Sequence, residues 1–215
     1  MKWSDKIEAT NEDNMELMSR YPDNYFDLAI VDPPYGIGID GQKEQKKGKK
    51  SDRKKHAKKG WDNKIPEQKY FQELFRVSKN QIIWGANYFV KYLNQGCKGW
   101  IIWDKKQHGL TMSDCEIAFS SFNKPTRIYA KNRVQLLIEG TIHPTQKPVA
   151  LYKWLLKNYA KEGDKILDTH LGSGSIALAC HELGFELTAC ELDSEYYDAA
   201  LKRFKQQTAQ LRLAI

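Results

Sequence analysis

The sequence is poor in cysteine and contains no long apolar run. Its 215 residues include four cysteines, and no two of them are spaced like a pair of metal ligands. Cys180 and Cys190 lie inside apolar segments, which favours reduced core residues over a disulfide and therefore a reducing compartment. No apolar stretch has the length of a membrane span, and the first residues lack the apolar core of a secretory signal. We therefore expect a cytoplasmic protein without a membrane partner.

Acidic residues are scarce in one segment, residues 41–60. The segment contains nine lysines and one arginine but only two acids, so its net charge is +8 in a chain whose total is +7. A solvated loop explains such a run as well as phosphate binding does. We expect a flexible basic insertion and predict that its basic side chains contact a nucleic-acid backbone: Lys46, Lys47, Lys49, Lys50, Arg53, Lys54, Lys55, Lys58 and Lys59.

Apolar strands and amphipathic helices alternate along the rest of the chain. Residues 26–31 form the first clear strand pattern, and a short irregular or helical lead is expected over 1–24. Such alternation predicts an α/β fold with a mostly parallel twisted sheet, helices on both faces, and one domain over 1–215. Further strands are predicted at 81–84, 99–103, 116–119, 134–138, 165–168 and 185–191, and helices near 70–75, 151–159, 176–183 and 197–204.

The first strand ends in Asp32-Pro33-Pro34-Tyr35. Proline donates no backbone N–H and restricts φ, so the two prolines end the strand and stiffen the next residues. Open α/β sheets bind ligands at the carboxyl ends of their strands. An acid, free carbonyls and an aromatic ring held there predict capture of a flat ligand that carries an amino group. A simple turn after a strand is the alternative.

A second motif, over residues 168–191, has the order of a nucleoside-binding βαβ unit. Gly172 and Gly174 form a tight turn into a helix whose free N–H groups attract an anion. Glu191 ends the next strand, where an acid accepts hydrogen bonds from ribose hydroxyls. The turn also fits the G-x-G-x-x-A pattern of dinucleotide-binding proteins, so a nicotinamide-dependent oxidoreductase is an alternative.

Together these motifs resemble the β-class amino-group DNA methyltransferases, which methylate N6 of adenine or N4 of cytosine. The resemblance rests on Asp-Pro-Pro-Tyr, on His-Pro-Thr-Gln-Lys-Pro at 143–148, and on Asp-Thr-His-Leu-Gly-Ser-Gly-Ser at 168–175. Finding the catalytic block ahead of the cofactor block is the β-class order. The resemblance spans 27–204 and implies a Rossmann-like S-adenosylmethionine-dependent methyltransferase fold.

The resemblance also implies which residues act. Asp32, Pro33, Pro34 and Tyr35 are the expected catalytic residues: the Asp32 carboxylate and the Pro33 carbonyl accept the two amino hydrogens, and Tyr35 stacks on the base. S-adenosyl-L-methionine is the implied cofactor. The family usually has Phe where His170 stands, and a packed, hydrogen-bonded imidazole without a catalytic role is the alternative there. The implied cofactor-binding residues are Thr145, Gln146, Lys147, Asp168, His170, Gly172, Gly174, Ser175, Glu191 and Leu192.

The leading Asp of the catalytic block favours N6 of adenine in duplex DNA, with the target base flipped out of the helix. N4 of cytosine, an RNA substrate, and an inactive nucleic-acid-binding module are the alternatives. The region near 120–142, where the family's target-recognition residues lie, is very short. A homodimer, a cognate restriction endonuclease and a bacterial or phage origin are analogies that the residues themselves leave open.

Overall fold

The computed structural model describes residues 1–40, 59–93, 96–109, 113–132 and 141–212. Eight strands of these residues form one sheet in the order β1-β8-β7-β2-β3-β5-β4-β6. The strands are β1 (Ile7–Asn11), β2 (Phe26–Val31), β3 (Ser78–Trp84), β4 (Ile101–Asp104), β5 (Cys115–Ser120), β6 (Arg127–Ala130), β7 (Lys165–Asp168) and β8 (Glu186–Glu191). The helices are α1 (Asn14–Ser19), α2 (Gln68–Val77), α3 (Ala86–Phe89), α4 (Val149–Tyr159), α5 (Ser175–Leu183) and α6 (Ser194–Arg212).

All neighbouring strands are parallel except at β5, which is antiparallel to both β3 and β4. Alternate residues of β2 serve the two faces of this sheet. Leu28 and Ile30 belong to a core with residues of α4, α5 and α6, whereas Ala29 and Val31 belong to a core with residues of α1, α2 and α3. The predicted α/β class with helices on both faces is therefore confirmed.

The centre of the sheet is the pairing of β2 with β7, in which Leu28 lies opposite Ile166 and Ala29 opposite Leu167. On its other side β2 pairs with β3, and β7 pairs with β8 on the side away from β2. After β2 the chain therefore continues toward one edge of the sheet, and after β7 it continues toward the opposite edge. Such a switch point opens a crevice beyond the carboxyl ends of the strands. Asp32 directly follows β2 and Asp168 ends β7, so both acids lie at this edge.

The N-terminal lead differs from the prediction. The prediction of an irregular or helical stretch is wrong at β1. This segment is an edge strand parallel to β8, in which Ile7 and Ala9 are buried. Three alternating positions are too few to distinguish a strand from a loop, and the partner strand lies near the other end of the chain. Strand β6 was not predicted either, and the strand predicted at 134–138 lies outside the described residues.

No helix in the part of the chain that the structure describes is long and apolar enough to cross a membrane.

Helix α2 covers one face of the sheet through Leu74, whose side chain is fully buried, while Gln72 of the same helix is exposed. We expect Leu74→Ala to lower the free energy of unfolding by about 2–5 kcal/mol, because a cavity replaces packed methyl groups. Gln72→Ala is the matched control and is expected to change it by less than about 0.5 kcal/mol. Urea denaturation followed by circular dichroism measures both, and equal losses would contradict this packing.

Candidate active site

Hydrogen bonds hold the Asp-Pro-Pro-Tyr segment after β2, both within the motif and in the loop that follows it. The Tyr35 hydroxyl donates a hydrogen bond of 2.6 Å to Asp32 Oδ1. The backbone N–H groups of Gly36 and Ile39 donate to the two carboxylate oxygens of buried Asp62, at 2.8 and 2.9 Å. Asp62 therefore fixes the loop that follows the motif, and with it the position of Tyr35.

The Tyr35 ring packs against the turn after β3. Its ring is stacked on that of Tyr88, with 5.1 Å between centroids and 15° between planes. Gly85 has a φ of +70°, and a Cβ atom there would lie 2.1 Å from Cε1 of Tyr35. Only glycine satisfies both the backbone angle and this close approach.

Four charged side chains, two buried lysines and two half-buried acids, form a charge cluster: Asp32, Lys105, Glu116 and Lys147. Lys147 makes an ion pair with the Asp32 carboxylate and a second one with Glu116, at 3.1 Å from Nζ to Oε2. Lys105 Nζ lies 2.9 Å from the other oxygen of Glu116. The side chain of Lys147 is 2 % exposed. Two cations and two anions alternate, which is the arrangement that makes buried charges tolerable.

The neighbours of each group in the cluster decide its charge. Burial raises the pKa of Asp32, and the adjacent Lys147 ammonium opposes that rise. Burial also favours neutral Glu116, but Lys147 and Lys105 outweigh it and lower the pKa of Glu116 to about 2. For Lys147, burial disfavours the charged form, yet Asp32 and Glu116 raise its pKa above the ordinary value. Lys147 is therefore an ammonium group at neutral pH.

The glycine turn lies between β7 and α5 and is tied to the end of β8. Glu191 accepts hydrogen bonds from the backbone N–H groups of Gly172, at 2.8 Å, and Asp193, at 3.0 Å. Ser175 begins α5, and Arg203 donates a 2.9 Å hydrogen bond to its hydroxyl. Asp168 is buried beneath the turn, and burial raises its pKa to about 8. This end of the sheet thus places an acid beside a rigid turn.

A cavity of about 680 Å³ connects the two motifs. That volume is in the range of small-ligand sites. Of the predicted catalytic residues, Asp32 and Pro34 line it, whereas their neighbours Pro33 and Tyr35 do not. Asp168, Gly174 and Ser175, which were predicted to bind the cofactor, do not line it either. The predicted cofactor-binding residues that do line the cavity are Thr145, Gln146, Lys147, His170, Gly172, Glu191 and Leu192.

His170 has partners on both ring nitrogens. The Asn14 side-chain amide lies 3.2 Å from Nε2, and the Thr169 hydroxyl lies 2.9 Å from Nδ1. Burial lowers the pKa of His170 to about 3, so the ring is neutral. Because an amide N–H donates to Nε2, the proton belongs on Nδ1. His170 is thus a packed, hydrogen-bonded residue that also contributes to the cavity wall.

Several residues at the cavity were not predicted. Trp61, His143 and Tyr196 form an aromatic group in its wall, with the His143 ring 4.4 Å from Tyr196 and 5.2 Å from Trp61. Lys105 and Glu116 were missed as well. Both flank the connection between the consecutive strands β4 and β5, far along the chain from Asp32, and the sequence contains no spacing signal that connects them to Asp32.

The basic segment is described only at its end. Lys59 forms ion pairs with Asp193, at 2.7 Å, and Glu195, at 2.8 Å, and lines the cavity. Its predicted contact with a nucleic acid stays a prediction. The other predicted nucleic-acid contacts, from Lys46 to Lys58, lie outside the described residues.

Comparison with known proteins identifies the family. Residues 49–202 match the DNA methylase family model of N6 and N4 methyltransferases. The chain belongs to this family. The family predicted from the sequence motifs is therefore confirmed.

Among curated proteins, the chain is similar to two Type II methyltransferases. Over 65 residues it is 35 % identical to M.HpaI of Haemophilus parainfluenzae, covering 30 % of this chain and 21 % of that protein. It is 37 % identical to M2.DpnII of Streptococcus pneumoniae over 65 residues, covering 30 % and 24 %. The matched part therefore spans less than a quarter of each of these relatives.

Solved structures share the fold over nearly the whole chain. The crystal structure of the M1.HpyAVI-SAM complex has a TM-score of 0.64 at 22 % identity, covering 92 % of this chain and 98 % of that chain. The cytosine-N4-specific PvuII DNA methyltransferase has a TM-score of 0.61 at 11 % identity, covering 94 % and 86 %. At these identities the comparison shows the fold.

The His170 ring provides a test of this geometry. We expect it to remain neutral, with its proton on Nδ1, down to at least about pH 5, because an ordinary histidine titrates near 6.5 whereas burial disfavours the charged ring here. Long-range ¹H–¹⁵N NMR of the imidazole nitrogens measures this, with His170→Asn assigning the signal. A protonation midpoint near pH 6.5 would contradict the half-buried, hydrogen-bonded ring.

Proposed function

We propose that this protein transfers a methyl group from S-adenosyl-L-methionine to the N6 amino group of adenine in DNA. The observation that carries the proposal is the shared cavity. Asp32 and Pro34 of the Asp-Pro-Pro-Tyr motif line the same cavity as Gly172 and Glu191 of the nucleoside-binding motif. Membership of the DNA methylase family supports the reaction class and the substrate. The similarity to a fold neighbour solved with S-adenosylmethionine supports the cofactor.

The residues present fit this cofactor. Glu191 is a carboxylate at the end of a strand, beside the glycine turn and in the cavity wall, where ribose hydroxyls need an acceptor. His170, Leu192 and Thr145 would contribute to the remaining wall. When bound, S-adenosylmethionine supplies a methyl group that its positive sulfonium makes electrophilic.

The chain's own part in the reaction is to prepare the amino nitrogen. The lone pair of an exocyclic amino group is delocalised into the base and is a poor nucleophile. Acceptance of its two N–H hydrogens by the Asp32 carboxylate and the Pro33 carbonyl would localise that lone pair and aim it. Tyr35, held by Gly85 and Tyr88 and outside the cavity lining, would fix the Asp32 carboxylate through its hydroxyl group, and its stacking on the base stays a prediction. Alignment of this kind supplies much of the rate enhancement.

N4 of cytosine is the second candidate, because the PvuII enzyme with the same fold is cytosine-N4-specific. The Asp at the head of the catalytic block favours adenine. A duplex target must leave the base stack, which costs a few kcal/mol, and phosphate contacts would offset part of that cost. The predicted homodimer and the partner endonuclease stay predictions.

Replacing the Asp32 carboxylate tests the reaction and the residue together. We expect Asp32→Asn to lower the methylation rate by at least about 100-fold, since the amide no longer provides a charged acceptor. Unmethylated DNA is incubated with S-adenosylmethionine and digested to nucleosides, and the product is identified by mass spectrometry. Asp5→Asn, an exposed site on the surface, is the matched control and is expected to keep the wild-type rate.

The identity of the product decides between the candidates. N6-methyldeoxyadenosine is the expected product, and N4-methyldeoxycytidine would keep the mechanism but overturn the choice of base. Methylation of RNA alone would overturn the choice of polymer. A wild-type protein that methylates neither polymer would contradict the proposal.

Glu191→Gln tests the cofactor site separately. We expect Kd for S-adenosylmethionine to rise by about 10- to 100-fold, since a hydrogen bond to a charged group contributes about 1.5–3 kcal/mol. Glu186→Gln, at the exposed start of the same strand, is the control and should stay within about two-fold. Isothermal titration calorimetry measures both, with NAD titrated in parallel. Binding of NAD instead of S-adenosylmethionine would favour the oxidoreductase alternative.

A further inference from the structure

The ammonium group of Lys147 has hydrogen-bonding partners in the Asp-Pro-Pro-Tyr motif and in one further acid. An ammonium group has three N–H donors. Here its partners are the Asp32 carboxylate, Glu116 Oε2 at 3.1 Å and the Tyr35 hydroxyl at 3.3 Å. The same nitrogen lies over the Trp84 ring, 5.2 Å from its centroid. Lys147 is therefore fixed against the catalytic carboxylate by contacts on every side.

The reversed direction of β5 explains why Glu116 is available. Glu116 is the second residue of this antiparallel strand, so it lies at the same sheet edge as the carboxyl ends of the parallel strands. Lys105 directly follows β4 and holds the other oxygen of Glu116 at 2.9 Å. The order of charges is thus Asp32, Lys147, Glu116, Lys105, with alternating sign.

We propose that Lys147 is a positioning residue of the methyl-transfer reaction, whose charge, steadied by Glu116, keeps the Asp32 carboxylate ionised and oriented toward the cavity. The proposal rests on the proposed function. It adds that the acceptor strength of Asp32 is set by two residues outside the Asp-Pro-Pro-Tyr motif. Glu116 has no role in the sequence-based assignment, and Lys147 was assigned there to the cofactor.

The other ionisable groups near Asp32 either raise its pKa or remain neutral. Asp168 of β7 and Glu116 of β5 are acids, and either raises the pKa of a neighbouring carboxyl when ionised. Tyr70 of α2 and Tyr152 of α4 are buried and Tyr35 is half-buried, and desolvation raises the pKa of all three, so they remain neutral. Lys147 is therefore the cation that balances burial at Asp32 among the described residues, while Lys105 acts through Glu116.

Opposite shifts from two single substitutions test the proposal. In Lys147→Gln, Asp32 loses the adjacent cation, so we expect the acidic limb of the kcat/KM profile to move up by about one to three pH units. In Glu116→Gln, Asp32 loses an adjacent anion, so the limb should move down. Lys147→Arg keeps the charge, and its limb should stay within about 0.3 units of wild type. Damage to packing would lower activity at every pH and leave the limb in place, and that result would overturn the proposal.

A measurement without substrate separates this inference from the proposed function. The ¹³C NMR signal of the Asp32 carboxyl, assigned with Asp32→Asn, reports its ionisation directly in wild type, Lys147→Gln and Glu116→Gln. We expect the midpoint to move up in the first variant and down in the second. An inactive wild-type protein with these shifts would refute the methyltransferase function alone. Unshifted midpoints in folded variants would refute the role of Lys147.

Discussion

The parallel pairing of β2 with β7 is the constraint on which the site depends. Two motifs that are distant in the chain end these neighbouring strands, and parallel strands present their carboxyl ends at one edge. Asp32 and Asp168 therefore lie at the same edge, with the glycine turn between β7 and α5 and the Asp-Pro-Pro-Tyr loop after β2. A shift of one residue in this pairing would exchange the two faces of the strand, and would break both cores at once.

Burial of charge is the second constraint. The role proposed for Asp32, acceptance of hydrogen bonds from an amino group, needs an ionised carboxylate, whereas burial favours the neutral acid. The structure answers this conflict with Lys147, and it answers the burial of Lys147 with Glu116 and Lys105. The cluster is neutral as a whole and depends on each member, since removing one partner leaves an uncompensated buried charge.

The family comparison and the cavity are complementary. The family match begins at residue 49 and so does not include the Asp-Pro-Pro-Tyr block. The two curated relatives match over 65 residues each. The role proposed for Asp32 therefore depends on the geometry, in which this block and the cofactor motif share one cavity. Family membership and cavity geometry support the same reaction class from different parts of the chain.

The sequence by itself determined the α/β class, the family and the two motifs, because strand and helix periodicities and the glycine, proline and acid positions are local signals. It also predicted Glu191 as a cofactor-binding residue, and the place of Glu191 at the end of β8 follows from the βαβ order. Tertiary structure decided what no local signal encodes. The edge strand β1 and the cluster partners Glu116 and Lys105 owe their positions to contacts between distant segments. Lys147 was predicted as a cofactor-binding residue, but its ion pair with Asp32 forms only because the fold brings residues 143–148 to the end of β2. Pairing and charge compensation act through space, so the fold alone determined them.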